Sequence, residues 1–325
     1  MPLLSALRLN MTNVPGAGHS GRYRAALEMA SYADARGVTA IGCEEHHLAA
    51  TGWLPAPLLM AAAVAGCTTT ARISVGALLV PLYDPVRLAE DIAVLDQLSA
   101  GRVSFVAGIG YRPEEYHALG KDFRRRGRLM DESLAVLLQA WGDEPFEFNG
   151  QKVNVTPKPY TTPHPLLLIG GMSVAAARRA ARFGLPFSPP MPMPDIEAVY
   201  LAELAAHGKH GFVFSPENGN TVTHLSDDPD KAWACCGDYF LHEAREYSSW
   251  AVPEVARPNE TAVGSVAELR RAGTVEVLTP EELIAQCRAG RTSVTLHPLI
   301  GGLPLDDGWE SLRLLVERVL PELGS

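Results

Sequence analysis

The sequence predicts an α/β domain built on a barrel of eight parallel strands, each followed by a helix. Three observations carry this. Strand-like and helix-like segments alternate along the whole chain, the strand-like ones number eight, and the chain has 325 residues. Alternation calls for a parallel sheet with crossover helices. Eight strands favour a closed (β/α)8 barrel, the TIM-barrel architecture, over an open doubly wound sheet, and such a barrel takes roughly 250 residues and tolerates insertions within one unit. The expectation is a single domain over 1–325, with a hairpin insertion near 146–156 and an irregular insertion near 227–280.

The elements follow in order. Leu7 to Met11 reads as the first strand, and a helix from about Arg22 to Arg36 places Tyr23, Leu27, Ala30 and Ala33 on one face before Gly37 stops it. Val38 to Cys43 is the second strand, ending in Glu44-Glu45-His46-His47, and Pro57 opens an Ala-rich helix to Gly66. Ile73 to Val80 is the third strand. Asp84-Pro85 then supplies an N-cap and a first-turn proline for a helix through Leu98. Val103 to Ala107 is the fourth strand, and Asp131 to Trp141 its helix. Asn149-Gly150 inside the alternating run Phe146 to Val155 marks a small antiparallel hairpin. Leu166 to Ile169 is the fifth strand, with a helix from Val174 to Phe183; Pro186 to Ser188 is a short sixth, before a helix around Ile196 to His207. Thr221 to Leu225 and Ser293 to Leu296 complete the eight, the region between them reading as helical. In the last helix Leu312, Leu315, Val316, Val319 and Leu320 share one face.

Composition narrows the function classes. A hydrophobic fraction of 47% with 20% charged residues suits an ordinary globular core. A net charge of -9 argues against a nucleic-acid partner, because phosphate binding needs concentrated Lys and Arg. The one dense basic run, Arg124-Arg125-Arg126 with Arg128, reads as a solvated loop and helix start. The five cysteines are odd in number and lack CxxC spacing, so neither a disulfide framework nor a zinc site is expected, and mostly buried thiols of a cytoplasmic protein fit better. The first residues carry no basic-then-apolar leader and no long apolar run follows, so neither secretion nor a membrane span is expected.

In a barrel of this kind the chemistry sits at the carboxyl ends of the strands. Four segments fall there: Glu44-Glu45-His46-His47, Gly76-Ala77-Leu78, Ala107-Gly108-Ile109-Gly110-Tyr111 and Gly170-Gly171-Met172-Ser173. Adjacent histidines at a strand end point different ways, so one can face the mouth and move a proton near neutral pH while the other packs; a pair of structural histidines held by local carboxylates is the alternative. Neighbouring residues seldom converge on one ion, and no metal is expected. Gly170 and Gly171 let a ligand approach the backbone, and amides at a helix start capped by Ser173 attract a phosphate, unless this is an ordinary strand-to-helix turn. Gly108, Gly110 and Tyr111 give open backbone and a flat surface for a ring system, or simply a tight turn. Trp53, Phe187, Met191 and Met193 are either pocket-lining or core residues.

Five segments in order over nearly the whole chain carry a family resemblance: EEHHLAATGWLPAP (44–57), PLYDPVRLAEDIAVLDQLSAGR (81–102), GIGYRPEEYHALGKDF (108–123), LLLIGGMSVAAARRAARFG (166–184) and LHPLIGGLP (296–304). Together they resemble the bacterial luciferase-like monooxygenase family. The resemblance implies a barrel that binds reduced FMN, or alternatively the deazaflavin F420, at the strand ends, often as a homodimer. It also implies oxidation of a small organic substrate with O2, the reduced flavin coming from a separate reductase. By the same resemblance His46 serves proton transfer, with His47 matching the second histidine. Gly76, Ala77 and Leu78 match a third-strand bulge that carries a non-proline cis peptide behind the flavin ring, with Gly108 and Tyr111 beside the ring. Gly170, Gly171, Met172 and Ser173 lie at the flavin phosphate. The sequence departs from the family in lacking an arginine near Ile109, and in having Gly108 where luciferases have a cysteine, so light emission is not implied. The EHH motif looks more like FMN users than F420 enzymes. An F420-dependent hydride-transfer enzyme, a non-catalytic flavin-binding barrel and a metal-dependent hydrolase are the rival readings.

Overall fold

A computed structural model describes residues 3–216, 221–250 and 263–324. The first two thirds follow the strand–helix alternation closely: β1 (Leu4–Arg8), α1 (Ser20–Asp34), β2 (Ala40–Glu44), α2 (Pro57–Cys67), β3 (Arg72–Leu78), α3 (Pro85–Ser99), β4 (Val103–Ala107), α4 (Pro113–Ala118) and α5 (Arg126–Ala140). A two-stranded antiparallel hairpin, β5 (Phe146–Phe148) and β6 (Gln151–Val153), turns through Asn149 and Gly150, both at positive φ as such a turn requires. Then come β7 (Leu166–Gly170), α6 (Val174–Phe183), β8 (Phe187–Ser188), α7 (Pro194–Ala206), β9 (Val222–Leu225), α8 (Pro229–Ser249), α9 (Val266–Ala272), β10 (Val275–Leu278), α10 (Pro280–Arg288), β11 (Ser293–Leu296) and α11 (Leu305–Leu314). The last helix continues through a π-helical turn, Leu315–Val319.

The main sheet is parallel, in the order β10-β9-β11-β1-β2-β3-β4-β7-β8, and Phe187 bridges onward to Val213. All eight expected strands are present, though the first runs over Leu4–Arg8, three residues earlier than the expected Leu7 to Met11. The ninth, β10, was not expected: it lies in the segment read as an irregular, largely helical insertion, of which residues 251–262 fall outside the described residues. Among the described residues no ladder joins β8 to β10, so the wall of the barrel carries a seam there.

Side chains alternate across this wall as the two-residue period of a strand demands. Leu7, Ile41, Ile73, Phe105, Leu167 and Val294 pack outward in the main core with the helices. The alternate positions Ala6, Gly42, Ser74, Ser104 and Thr295 are small and only half-buried. Bulkier residues, Val106 and Leu168, follow on the same face of β4 and β7. Capping follows the sequence signals. The Asp84 carboxylate accepts from Val86 N and Arg87 N at 3.0 Å, and Ser173 Oγ accepts from Ala176 N at 3.2 Å.

α8 lies across the carboxyl edge of the sheet. Its first half packs Trp233, Cys236 and Phe240 against Val222, Val275 and Val277 in a second core. Farther along, Glu243 accepts from the Thr12 hydroxyl and from Gly301 N at 3.1 Å, and Glu246 accepts from the Thr51 hydroxyl and amide. The helix is thereby tied to the loops that follow β1, β2 and β11.

Candidate active site

The end of β2 delivers two carboxylate–imidazole pairs, and they point different ways. His46 Nδ1 lies 3.1 Å from Glu115 Oε1 on α4, and the same oxygen accepts from His47 N at 2.9 Å and from the Arg112 guanidinium at 3.1 Å. Both side chains of the His46–Glu115 pair are buried. Burial alone would raise the Glu115 pKa, but the His46 ring, the His47 amide and Arg112 outweigh it and hold the carboxyl below its ordinary range. An ionised carboxylate only accepts, so Nδ1 of His46 is the donor. That leaves Nε2, 3.2 Å from the Tyr111 hydroxyl.

His47 turns to Glu45, with Nε2 to Oε1 at 2.9 Å. Glu45 is fully buried and also accepts from Leu79 N at 2.7 Å and from the Tyr83 hydroxyl at 2.6 Å. Burial lowers the His47 pKa, and the Glu45 hydrogen bond and charge more than reverse this, so the net shift is upward. The two possibilities left open for the histidine pair are therefore divided between them: His46 faces Tyr111, and His47 is bonded to a local carboxylate.

Aromatic rings crowd His46. Trp53 stands edge-on at 5.2 Å between centroids, Tyr111 at 5.5 Å, Tyr247 at 6.2 Å and Trp250 at 4.5 Å. The Arg112 guanidinium carbon sits 4.2 Å over the Trp250 ring. Beside them is a cavity of ~100 Å³ lined by Arg8 and Glu44 at the ends of β1 and β2, by Trp53, and by Phe240, Glu243 and Tyr247 of α8.

The other predicted residues line the same edge of the sheet. The register shifts on both sides of Gly76 and Ala77, between β2 and β3 and between β3 and β4, so the expected bulge is present. The expected cis peptide is not: among the described residues the cis bonds are Thr156-Pro157 and Thr162-Pro163, and the bulge absorbs the extra residue with trans bonds. Gly108 donates its amide to Leu78 O at 2.8 Å, which sets β4's end beside the bulge. Next along the edge, β7 runs into Gly170, Gly171, Met172 and Ser173. Gly171 has φ +146°, and a Cβ there would come within 2.7 Å of the Ala176 Cβ, so only glycine fits this turn. The turn leads into the first amides of α6, as a phosphate site requires. Of the four residues left open as pocket or core, Trp53 reaches the site, whereas Phe187 is fully buried against Tyr200, 5.7 Å between ring centroids.

Sequence reading missed Glu115, Arg112, Tyr247 and Trp250. Arg112-x-x-Glu115 astride Pro113 was a usable signal, since residues three apart share a helix face. Among the described residues the potential metal ligands that converge are Cys235, Cys236 and Asp307, on α8 and α11. Of the five cysteines Cys43 and Cys236 are buried, Cys67 and Cys287 are half-buried and Cys235 is exposed, so the expectation of mostly buried thiols holds for two. No helix among the described residues is long and apolar enough to cross a membrane.

The fold has close counterparts. The chain matches the monooxygenase RslO1 from Streptomyces bottropensis over 99% of both chains, with TM-score 0.78 and 23% identity. The oxygenating constituent of 3,6-diketocamphane monooxygenase from Pseudomonas putida, solved in complex with FMN, matches over 99% of both chains with TM-score 0.72 and 19% identity. An F420-dependent secondary alcohol dehydrogenase, solved with an F420-acetone adduct, matches over 99% of both chains with TM-score 0.67 and 18% identity. At these identities the likeness is one of fold. In sequence, the alkanal monooxygenase alpha chain of the Kryptophanaron alfredi symbiont is 25% identical over 207 residues, 61% of this chain and 58% of that one. The chain spans about half the length of the curated relatives it matches. The model of the luciferase-like monooxygenase family matches residues 8–293, and the chain belongs to that family.

Proposed function

We propose that this chain is the oxygenating component of a two-component flavin-dependent monooxygenase, oxidising a small organic substrate with O2 and reduced FMN supplied by a separate reductase. In this reading it works in the cytoplasm as a homodimer. The observation that supports it most is the buried His46–Glu115 pair, which leaves one ring nitrogen beside Tyr111 at the carboxyl edge of a flavin-family barrel.

The residues present suit a flavin. The Gly170-Gly171 turn and the amides of Gly171, Met172 and Ser173 would hold the phosphate at the start of α6. The open backbone of Gly76, Ala77, Leu78 and Gly108 would back the ring, with Tyr111 beside it. Reduced flavin, when bound, supplies the electron pair that activates O2. Glu115 fixes the His46 ring so that Nε2 is the atom that gives or takes a proton at the mouth. Tyr111 shares that position, and Trp53, Tyr247 and Trp250 keep water away from it. His47, tied to Glu45, anchors the loop and stays out of the proton transfer.

Anaerobic titration with reduced FMN and, separately, reduced F420, followed by an oxygen pulse, tests the reading. FMN binding with oxygen-dependent reoxidation that slows in His46→Ala is the expected result. Binding of F420 alone moves the chain to hydride transfer. FMN binding with reoxidation indifferent to His46→Ala makes it a non-catalytic flavin barrel, and binding of neither overturns the flavin assignment.

A further inference from the structure

A second group of reactive side chains lies on α8, two turns before Glu243, where the helix meets the start of α11. Cys235 and Cys236 are adjacent in α8, and Asp307 is in the first turn of α11. Their sulfur and carboxylate atoms all lie within 4.8 Å of one another. Neighbouring side chains on a helix diverge by about 100°, yet these two sulfurs approach to 3.3 Å. Joining them as a disulfide is disfavoured, because Cα atoms across a trans peptide are about 3.8 Å apart and a disulfide takes about 4.4–6.8 Å. Burial raises the Cys236 thiol pKa, and the Cys235 thiol and the Asp307 and Glu310 carboxylates raise it further. Each of these effects comes from electron-rich groups crowding one another, and a cation among them would reverse it, since a coordinating thiol is deprotonated outright.

We propose that Cys235, Cys236 and Asp307 bind a zinc-class divalent cation, with water in the fourth position, and that the ion joins α8 to α11. Sulfur donors exclude Mg²⁺ and Ca²⁺, which take oxygen ligands, and a carboxylate beside two thiolates suits borderline Zn²⁺ better than soft Cu(I). Tetrahedral zinc with Zn–S of about 2.3 Å holds its sulfurs roughly 3.8 Å apart, so the pair has only to open by a few tenths of an ångström. Cys235 is exposed and Cys236 buried, so the ion enters from solvent and is held against the second core. As the two Zn–S bonds form, both thiol protons leave to solvent. The sequence hides this set because its carboxylate comes from a separate helix. Farther along, α8 carries Glu243 and Tyr247, which line the cavity at the mouth. An ion that anchors the first half of α8 to α11 therefore stiffens the helix that covers the site.

Titration of the reduced, metal-free full chain with Co²⁺ tests it, because cobalt takes the same ligands as zinc and its thiolate bonds give a charge-transfer absorption in the near ultraviolet. One equivalent is expected to saturate that band, and Zn²⁺ to abolish it by displacement. Cys235→Ser changes an exposed thiol and leaves the core intact, and Asp307→Asn keeps the shape of the side chain. Each is expected to weaken cobalt at least about tenfold. Cys287→Ser removes a half-buried thiol on α10 and is expected to keep the band. Absence of a saturable band overturns the proposal. So does a Cys235→Ser or Asp307→Asn chain that binds cobalt as tightly as the parent, or a band lost in Cys287→Ser. Bound Zn²⁺ is also expected to slow amide exchange about tenfold in the first half of α8 and at the start of α11. Exchange there that is indifferent to zinc overturns the joining of the two helices. Neither readout involves flavin, so the flavin assignment and this proposal stand or fall separately.

Discussion

At the scale of single residues, the two carboxylate–histidine pairs at the end of β2 have opposite pH signatures. Glu115 is depressed in the folded state, so the stability it contributes is present above its unfolded value of about 4.5 and is lost as pH falls through the folded value. Glu115→Gln should therefore cost roughly 2 kcal/mol at neutral pH, as for a charge-assisted buried hydrogen bond. The gap to the parent should close as the pH is lowered past the carboxylate range, in urea unfolding followed from pH 7 downward. His47 is raised above its unfolded 6.5, so its pairing with Glu45 contributes fully below that value and fades as pH rises through the higher folded value. His47→Gln should destabilise most on the acid side of neutrality and converge with the parent on the alkaline side. A constant offset across pH in either variant would show that packing, not the ion pair, sets its effect. The sequence signalled the Arg112–Glu115 pairing but not its partner in the site, because His46 lies 69 residues away. β2 and β4 flank β3 in the sheet, and the segment after β4 carries α4 back over the end of β2.

At the scale of elements, legibility tracked local chemistry. Asp84-Pro85, Asn149-Gly150 and Ser173 each carry their instruction in neighbouring residues, and the helix starts and the hairpin they announce are where they should be. β4, α6 and β11 have the expected limits because strong apolar periodicity coincides with clear ends. β10 escaped because Val275–Leu278 sits between two helices, inside a segment whose helical signals were read as continuous. The two side-chain caps also separate structural from functional roles. Asp84→Ala and Ser173→Ala should each cost about 1 kcal/mol of unfolding free energy, the worth of an N-cap. Only Ser173→Ala should also weaken FMN, because α6 alone starts at the expected phosphate position. Parallel denaturant melts and flavin titrations check this, and equal flavin affinity in the two variants would remove Ser173 from the phosphate site.

At the scale of the whole molecule, α8 joins the parts that the strand pattern leaves separate. Its first half closes a core with β9 and β10 beside the seam, and its second half carries Glu243, Glu246 and Tyr247 over the mouth, with Trp250 just past its end. Glu246 accepts from the amide of Thr51 at 3.3 Å and from its hydroxyl, which tethers the last turn of the helix to the loop after β2. Removing that carboxylate leaves the strands and the second core intact, so the loss should be local. In Glu246→Ala, amide exchange of the last turn of α8 is expected to rise about tenfold, the equivalent of ~1.4 kcal/mol, while β1 to β4 keep their protection. Trp250 and Tyr247 would then leave His46 more often. Exchange that rises equally in the strands would mean that α8 is part of the barrel's cooperative core, and the mouth would then have to open by another element.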